Sequence, residues 1–329
     1  MSISDVQERL FRELKIRQVG GRPLAEELAE LLEVSTDSAY RRIRGEKALS
    51  LDELQRICVR YGISADALLG LGQEGFMFTG SLMRHEDFRF DTYLRSIIRQ
   101  VKYMSSFKER KMYFLCKDIP IFYHYLNREI AAFKHYVWMK GIFNAPELAG
   151  KKFSLERYPE ELYLLGKQSL AYYNTIDSVE IWNIESINST MRQVDYYHDA
   201  GLFENEKDVV RIYEAFEQLI HHLDRQAAQG HKLDSEGQPA GRLEMYLNEM
   251  IIGDNSILAE LDGVRLSFIV HTVINPMLTR DHRFCDNMFD SMQSLMKRST
   301  LISSVSERER ARFFAHLKKR IAQRKERAG

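Results

Sequence analysis

Ser35, Thr36, Asp37, Ser38, Arg41, Arg42, Arg44 and Lys47 fall within one short stretch of a 329-residue chain. Small hydroxyls and a carboxylate can exchange hydrogen bonds with base edges or phosphates. An arginine can grip guanine through two parallel hydrogen bonds. The expected division of labour places Ser35, Thr36, Asp37, Ser38 and Arg41 against base edges. Arg42, Arg44 and Lys47 would then hold phosphates, which position a protein on a duplex without reading it. The plainer alternative is a solvated charged surface on a bundle that contacts other proteins.

Side chains reach a groove together only if an element carries them there. Leu24, Leu28, Leu31 and Leu32 recur at helical spacing after Pro23, a residue tolerated in a first helical turn. Val34-Ser35 reads as a turn, and a short helix over 36–44 follows, closed by Gly45. That is the layout of a helix-turn-helix, in which the first helix braces the second. An earlier helix over 5–16 carries Val6, Leu10 and Leu14 on one face, and Gly20-Gly21 ends that segment. Ser50-Leu51-Asp52-Glu53 is a capping box opening a fourth helix, with Leu51, Leu54, Ile57 and Cys58 inward. Gly62 stops it, and Ser64 caps a fifth short helix ending near Leu69.

These residues resemble the Cro/repressor-type (XRE) helix-turn-helix family over 24–69. The likeness rests on Leu28-Ala29, the Val34-Ser35 turn, Gly45, and the block from Ser50-Leu51-Asp52-Glu53-Leu54 through Tyr61-Gly62-Ile63-Ser64 to Leu68-Leu69. Two positions depart from the family pattern: Glu33 stands where glycine is usual, and Arg42 where an apolar residue is usual. The inward residues of the third helix are expected to be Ala39, Tyr40 and Ile43. The resemblance implies DNA binding and says nothing of an effector.

Lys plus Arg and Asp plus Glu both total 47, so formal net charge is zero and any attraction to DNA must be local. A basic tail over 318–327 could touch DNA backbone or another subunit, but positive charge also suits a helix C-terminus. Three widely spaced cysteines, Cys58, Cys116 and Cys285, give neither a disulfide framework nor a zinc ribbon. Polar Ser2, Asp5 and Glu8 occupy the place of a signal peptide's apolar core, and no apolar run approaches the roughly 20 residues of a membrane span. A cytoplasmic protein without membrane contact is expected.

The stretch 71–81 carries three glycines and reads as a linker between a helix-turn-helix domain at 1–70 and a larger region at 82–329. Helical patterns cover 91–103, 129–138, 159–173, 185–198, 206–229, 281–297 and 306–324, with Ser306 and Glu309 as a further capping box. Short β-compatible runs occur at 111–116, 243–252, 256–261 and 265–271. Hairpin turns are expected at 253–255 and at Asp262-Gly263. The expected fold is therefore mainly α: a five-helix bundle followed by a mostly helical domain with a small antiparallel sheet. Aromatic stretches such as Phe122-Tyr123-His124-Tyr125 are read first as core, with an aromatic-lined ligand pocket as the sharper alternative.

No glycine-rich phosphate loop or nucleophile elbow is present, so neither catalytic residues nor a cofactor are assigned. His282 and Cys285, one turn apart, are the best metal candidates, but no supporting pair accompanies them and no metal site is assigned. The pattern points to a one-component transcriptional regulator that binds double-stranded DNA. The region beyond Ser81 would form a homodimer and sense a small molecule or a peptide. The rivals are an antitoxin or phage-type repressor whose C-terminal region binds a protein or peptide, and an enzyme fused to a DNA-binding module.

Overall fold

The leucine periodicity of the first 70 residues closes, in the computed structural model, into α1 (Ile3–Arg17), α2 (Leu24–Leu32), α3 (Thr36–Ile43), α4 (Leu51–Tyr61) and α5 (Ala65–Leu69). The structure describes residues 3–17, 22–70, 75–80, 88–250, 253, 255–271 and 274–329. Gly20-Gly21, residues 71–74 and 81 of the glycine-bearing stretch, and Asp254 lie outside these residues. The chain divides into two compact units, Met1–Met77 and Phe78–Gly329.

In the first unit Leu10, Leu14, Leu28, Ala39 and Ile57 are buried together, the outcome expected when each helix carries one apolar stripe. The capping box of α4 forms in full: Ser50 Oγ accepts from the Glu53 amide and the Glu53 carboxylate accepts from the Ser50 amide. Gly62 ends α4 with φ 62°, a left-handed conformation that favours glycine. Leu51, the first residue of α4, is 82% exposed, so the inward stripe begins one turn later, at Leu54, and continues through Ile57 and Cys58.

The second unit departs from the expected small antiparallel sheet in a helical domain. Its elements run α6 (Phe90–Ser105), β1 (Arg110–Cys116), α7 (Arg128–Gly141), α8 (Glu160–Asn174), β2 (Asp177–Trp182), α9 (Asn188–Asp199), α10 (Lys207–Gln229), β3 (His231–Leu233), β4 (Pro239–Leu247), β5 (Ile257–Leu261), β6 (Val264–His271), β7 (Asn275–Thr279), α11 (His282–Lys297), β8 (Thr300–Leu301) and α12 (Glu307–Ala328). The strands form one eight-stranded mixed sheet in the order β3-β4-β2-β1-β5-β6-β7, with β8 on β4. β1 and β2 pair in parallel, as do β2 and β4. Helices α7 and α8 connect the first pair, and α9 and α10 the second, as parallel neighbours require.

The missing signal was β2. Its sequence, Asp-Ser-Val-Glu-Ile-Trp, is half polar, and Glu180 at its centre is fully buried. Its carboxylate accepts from Tyr123 (2.8 Å), Tyr173 (2.5 Å), Ser178 (3.3 Å) and the Trp182 indole (2.9 Å). Buried charge is tolerated when its lone pairs are filled in this way. Without β2 in the count, β1 has no parallel partner and the helices before and after it look like a bundle.

The turn at Asp262-Gly263 joins antiparallel β5 and β6, with φ 45° and 83° at the two residues. Strands β4 and β5, in contrast, make no hairpin across 253–255, because β2 and β1 stand between them. Ser306 does not cap α12: its φ is 52° and its side chain makes no cap hydrogen bond. The aromatic stretches pack as core, with Phe122, Tyr123, Tyr125, Phe133, Tyr136, Trp138 and Tyr173 in one buried cluster. Among the described residues no helix is long and apolar enough to cross a membrane.

Candidate nucleic-acid interface

Helix α3 begins where a short turn redirects the chain from α2. Glu33 ends α2 with φ 56° and ψ 43° and closes backbone bonds to Ala29 and Glu30. This is the left-handed position at which a residue with a Cβ carries strain. Ser35 then caps α3, its Oγ accepting from the Ser38 amide at 3.3 Å. The first turn of α3 therefore presents Ser35, Thr36 and Asp37 to solvent.

Four of the sequence-derived residues form a continuous exposed patch by chain position: Ser35, Thr36, Asp37 and, one turn on, Arg41. Arg44 and Lys47 are exposed just beyond, at the end of α3. The acid Glu46 sits among these cations. It accepts from Arg44 at 2.6 and 3.1 Å and lies 3.8 Å from Arg41. The hydrogen bonds from Arg44 are the largest influence holding its carboxyl below the ordinary value. Lys47 makes no ion pair among the described residues. A lysine outside any ion pair and two arginines sharing one exposed acid are suited to binding phosphate oxygens in place of that acid.

Arg42 does not join them. Its side chain is 4% exposed. The guanidinium donates to Glu53 at 2.5 and 3.2 Å and to the Ser38 carbonyl and hydroxyl at 3.0 and 2.6 Å. It thus fills the position where the resembled family carries an apolar side chain and is spent on holding α3 to α4, which departs from the phosphate contact expected of it. Ser38, half-buried, is drawn into the same network. Tyr40, expected inward, is instead 45% exposed on the outer side of α3, while Ala39 is fully buried and Ile43 packs partly buried against the core. Helical geometry explains the exchange: with Ala39 inward, a side chain three residues on shares its face and one a single residue on does not.

Two residues outside the sequence-derived set hold this surface in place. Gln7 of α1 is 6% exposed and uses both ends of its amide on the segment after α3. It donates to the Arg42 and Lys47 carbonyls (2.7 and 2.8 Å) and accepts from the Leu49 amide (3.1 Å). A polar residue on the face that carries Leu10 and Leu14 was the available signal. Glu53 has no such signal, since its capping role accounts for it fully in sequence. The hydrogen bonds from Arg42 are the main cause lowering the Glu53 carboxyl from its ordinary value, with burial opposing and the Ser50 amide assisting.

Of the metal candidates, Cys285 is buried with its thiol on the Thr279 carbonyl at 3.7 Å. Among the described residues no group of three or more His, Cys, Asp or Glu could hold a metal ion.

No curated protein and no solved structure matches the chain. Residues 4–82 match the family model of the BetR domain, so the exposed face of α3 lies in a segment similar to a helix-turn-helix-like DNA-binding domain.

Proposed function

We propose that this protein is a one-component, sequence-specific transcriptional regulator of the XRE-like kind. The observation that carries the reading is the outer face of α3. Thr36, Asp37 and Arg41 stand exposed there, beside Arg44 and Lys47, in the segment similar to the BetR domain. Thr36, Asp37 and Arg41 read base edges in the major groove. Arg44 and Lys47 hold phosphates, releasing Glu46 as they do so. The second unit dimerises, so that two copies of α3 reach half-sites about one helical turn, or a multiple of it, apart. It also senses an effector, and it has no catalytic step.

Enrichment of randomised DNA duplexes by the full chain tests this. A recovered motif with two related halves at a fixed spacing supports the reading. Recovery of random sequence, with affinity equal on all duplexes, contradicts it. Light scattering on the same preparation reports whether the chain is a dimer.

A further inference from the structure

In sheets with parallel strands, ligands bind outside the carboxyl ends of those strands. In the second unit a cleft of about 460 Å³ opens at that place. Its wall is built from Lys117, just after β1, from Asn183 and Glu185, just after β2, and from Ser189, Arg192 and Tyr196 of α9. The volume lies in the range of small-molecule sites, about 300–1,000 Å³.

The floor is rigid. Asn183 is 6% exposed; its amide donates to the Asn248 and Met250 carbonyls at 2.9 and 2.8 Å, and its Oδ1 accepts from the Glu185 amide at 2.8 Å. Ser186 donates to the Cys116 carbonyl. The carboxyl ends of β1, β2 and β4 are thereby tied together. Behind the wall Lys134, only 1% exposed, donates to Asp118 (2.9 Å), Thr190 (3.1 Å) and Gln193 (3.2 Å), fixing the inner side of α9.

The charges on the wall are unequally committed. Glu185 is the one acid among the lining residues, and it is already engaged by Arg320 at 3.1 Å and by the Asn188 amide at 2.5 Å. Lys117 and Arg192 are exposed and form no ion pair among the described residues. Tyr196 stands at the rim with its side 66% exposed, offering an aromatic face. Two cations outside any ion pair, an acid already engaged and one open ring around a preformed cleft favour an anion with an organic body.

We infer that this cleft binds a small organic anion bearing carboxylate or phosphate. Lys117 and Arg192 take the charge, and Tyr196 covers the organic part. Naming that anion an effector rests on the regulator reading above. The route outward is on the same wall. Arg320 and Arg324 of α12 reach Glu185, Asn188 and Asp195. An anion drawing on α9 therefore acts on the contacts that seat α12.

The test is thermal unfolding of the full chain with citrate, adenosine monophosphate or orthophosphate, each against sodium chloride at equal ionic strength. At least one of the two organic anions is expected to raise the unfolding temperature saturably. Which of the three does so separates carboxylate from phosphate, and organic from inorganic phosphate. In the Lys117→Ala/Arg192→Ala variant the half-saturating concentration rises by about tenfold or more, as expected on losing charge-assisted contacts. Both positions are exposed, so the variant keeps its fold, checked by its unfolding temperature without anion. No shift with citrate or adenosine monophosphate, a shift with orthophosphate alone, or an equal shift in the variant overturns the site. Operator binding by a chain that shows no shift removes the site and leaves the regulator reading intact. A variant-sensitive shift in a chain that selects no DNA keeps the site and removes its role as an effector site.

Discussion

Replacing Glu53 with alanine is expected to loosen the DNA-reading unit far more than replacing Arg42 with methionine. The difference follows from which partner is left stranded. The Arg42 side chain is 4% exposed and that of Glu53 is 18% exposed. Glu53→Ala leaves a buried guanidinium with only the Ser38 carbonyl and hydroxyl, and strips the Ser50 amide of its acceptor. Removing one partner of a buried pair costs about 3–5 kcal/mol, and water reaching the Glu53 side brings this to about 3 kcal/mol. Arg42→Met keeps much of the stem volume and leaves Glu53 bonded to Ser50 and partly hydrated, a cost of about 1–2 kcal/mol. Hydrogen exchange read by mass spectrometry on the full chain isolates the effect to peptides of α2 through α4. A loss of about 3 kcal/mol accelerates exchange there on the order of a hundredfold. Unchanged protection in Glu53→Ala would refute the reasoning. So would an Arg42→Met chain with normal protection, weakened DNA binding and a shallower salt dependence, because Arg42 would then be a phosphate contact.

Further outcomes follow from the same surface. Because Arg42 holds the Glu53 carboxyl below its ordinary value, the stabilisation is complete above the unfolded value of about 4.3 and is lost as pH falls through the lower folded value. Exchange protection in α3 and α4 of the native chain should therefore decline on acidification below that point, and Glu53→Gln should remove this part of the decline. Glu46→Gln frees Arg41 and Arg44 from their exposed acid, so non-specific DNA affinity should rise roughly two- to fivefold, measured by fluorescence anisotropy on a scrambled duplex. Glu33→Gly relieves a left-handed residue at the turn and should slow exchange in α2 and α3 by about 0.5–1 kcal/mol; faster exchange would mean that the Glu33–Arg56 contact at 3.5 Å outweighs the strain.

Local rules read the first unit well. Leu28, Ile57 and Gly62 announced their roles because stripes, caps and left-handed termini depend on neighbours three or four residues away. The same rules misjudged Tyr40 and Arg42. Hydrophobicity alone favoured the tyrosine inward, whereas the partner that admits an arginine, Glu53, lies eleven residues on and was already explained by its cap. In the second unit the helices and the β5–β6 hairpin were legible for the same local reason. The sheet was not, because a parallel pair is made across long connections. β2 hides behind Glu180, whose partners Tyr123 and Tyr173 come from other elements. The cleft beside Lys117 and Arg192 was invisible in sequence, since its walls meet only once β1 and β2 are aligned.

Equilibrium binding to a selected operator and to a scrambled duplex, each across a range of salt, tests the central claim about α3 most directly. Arg41→Ala should lose about 1–3 kcal/mol on the operator and little on the scrambled duplex. Lys47→Ala should weaken both alike and reduce the slope of log affinity against log salt by about 1. Operator affinity and salt slope unchanged by both substitutions would contradict the placement of α3 in the groove.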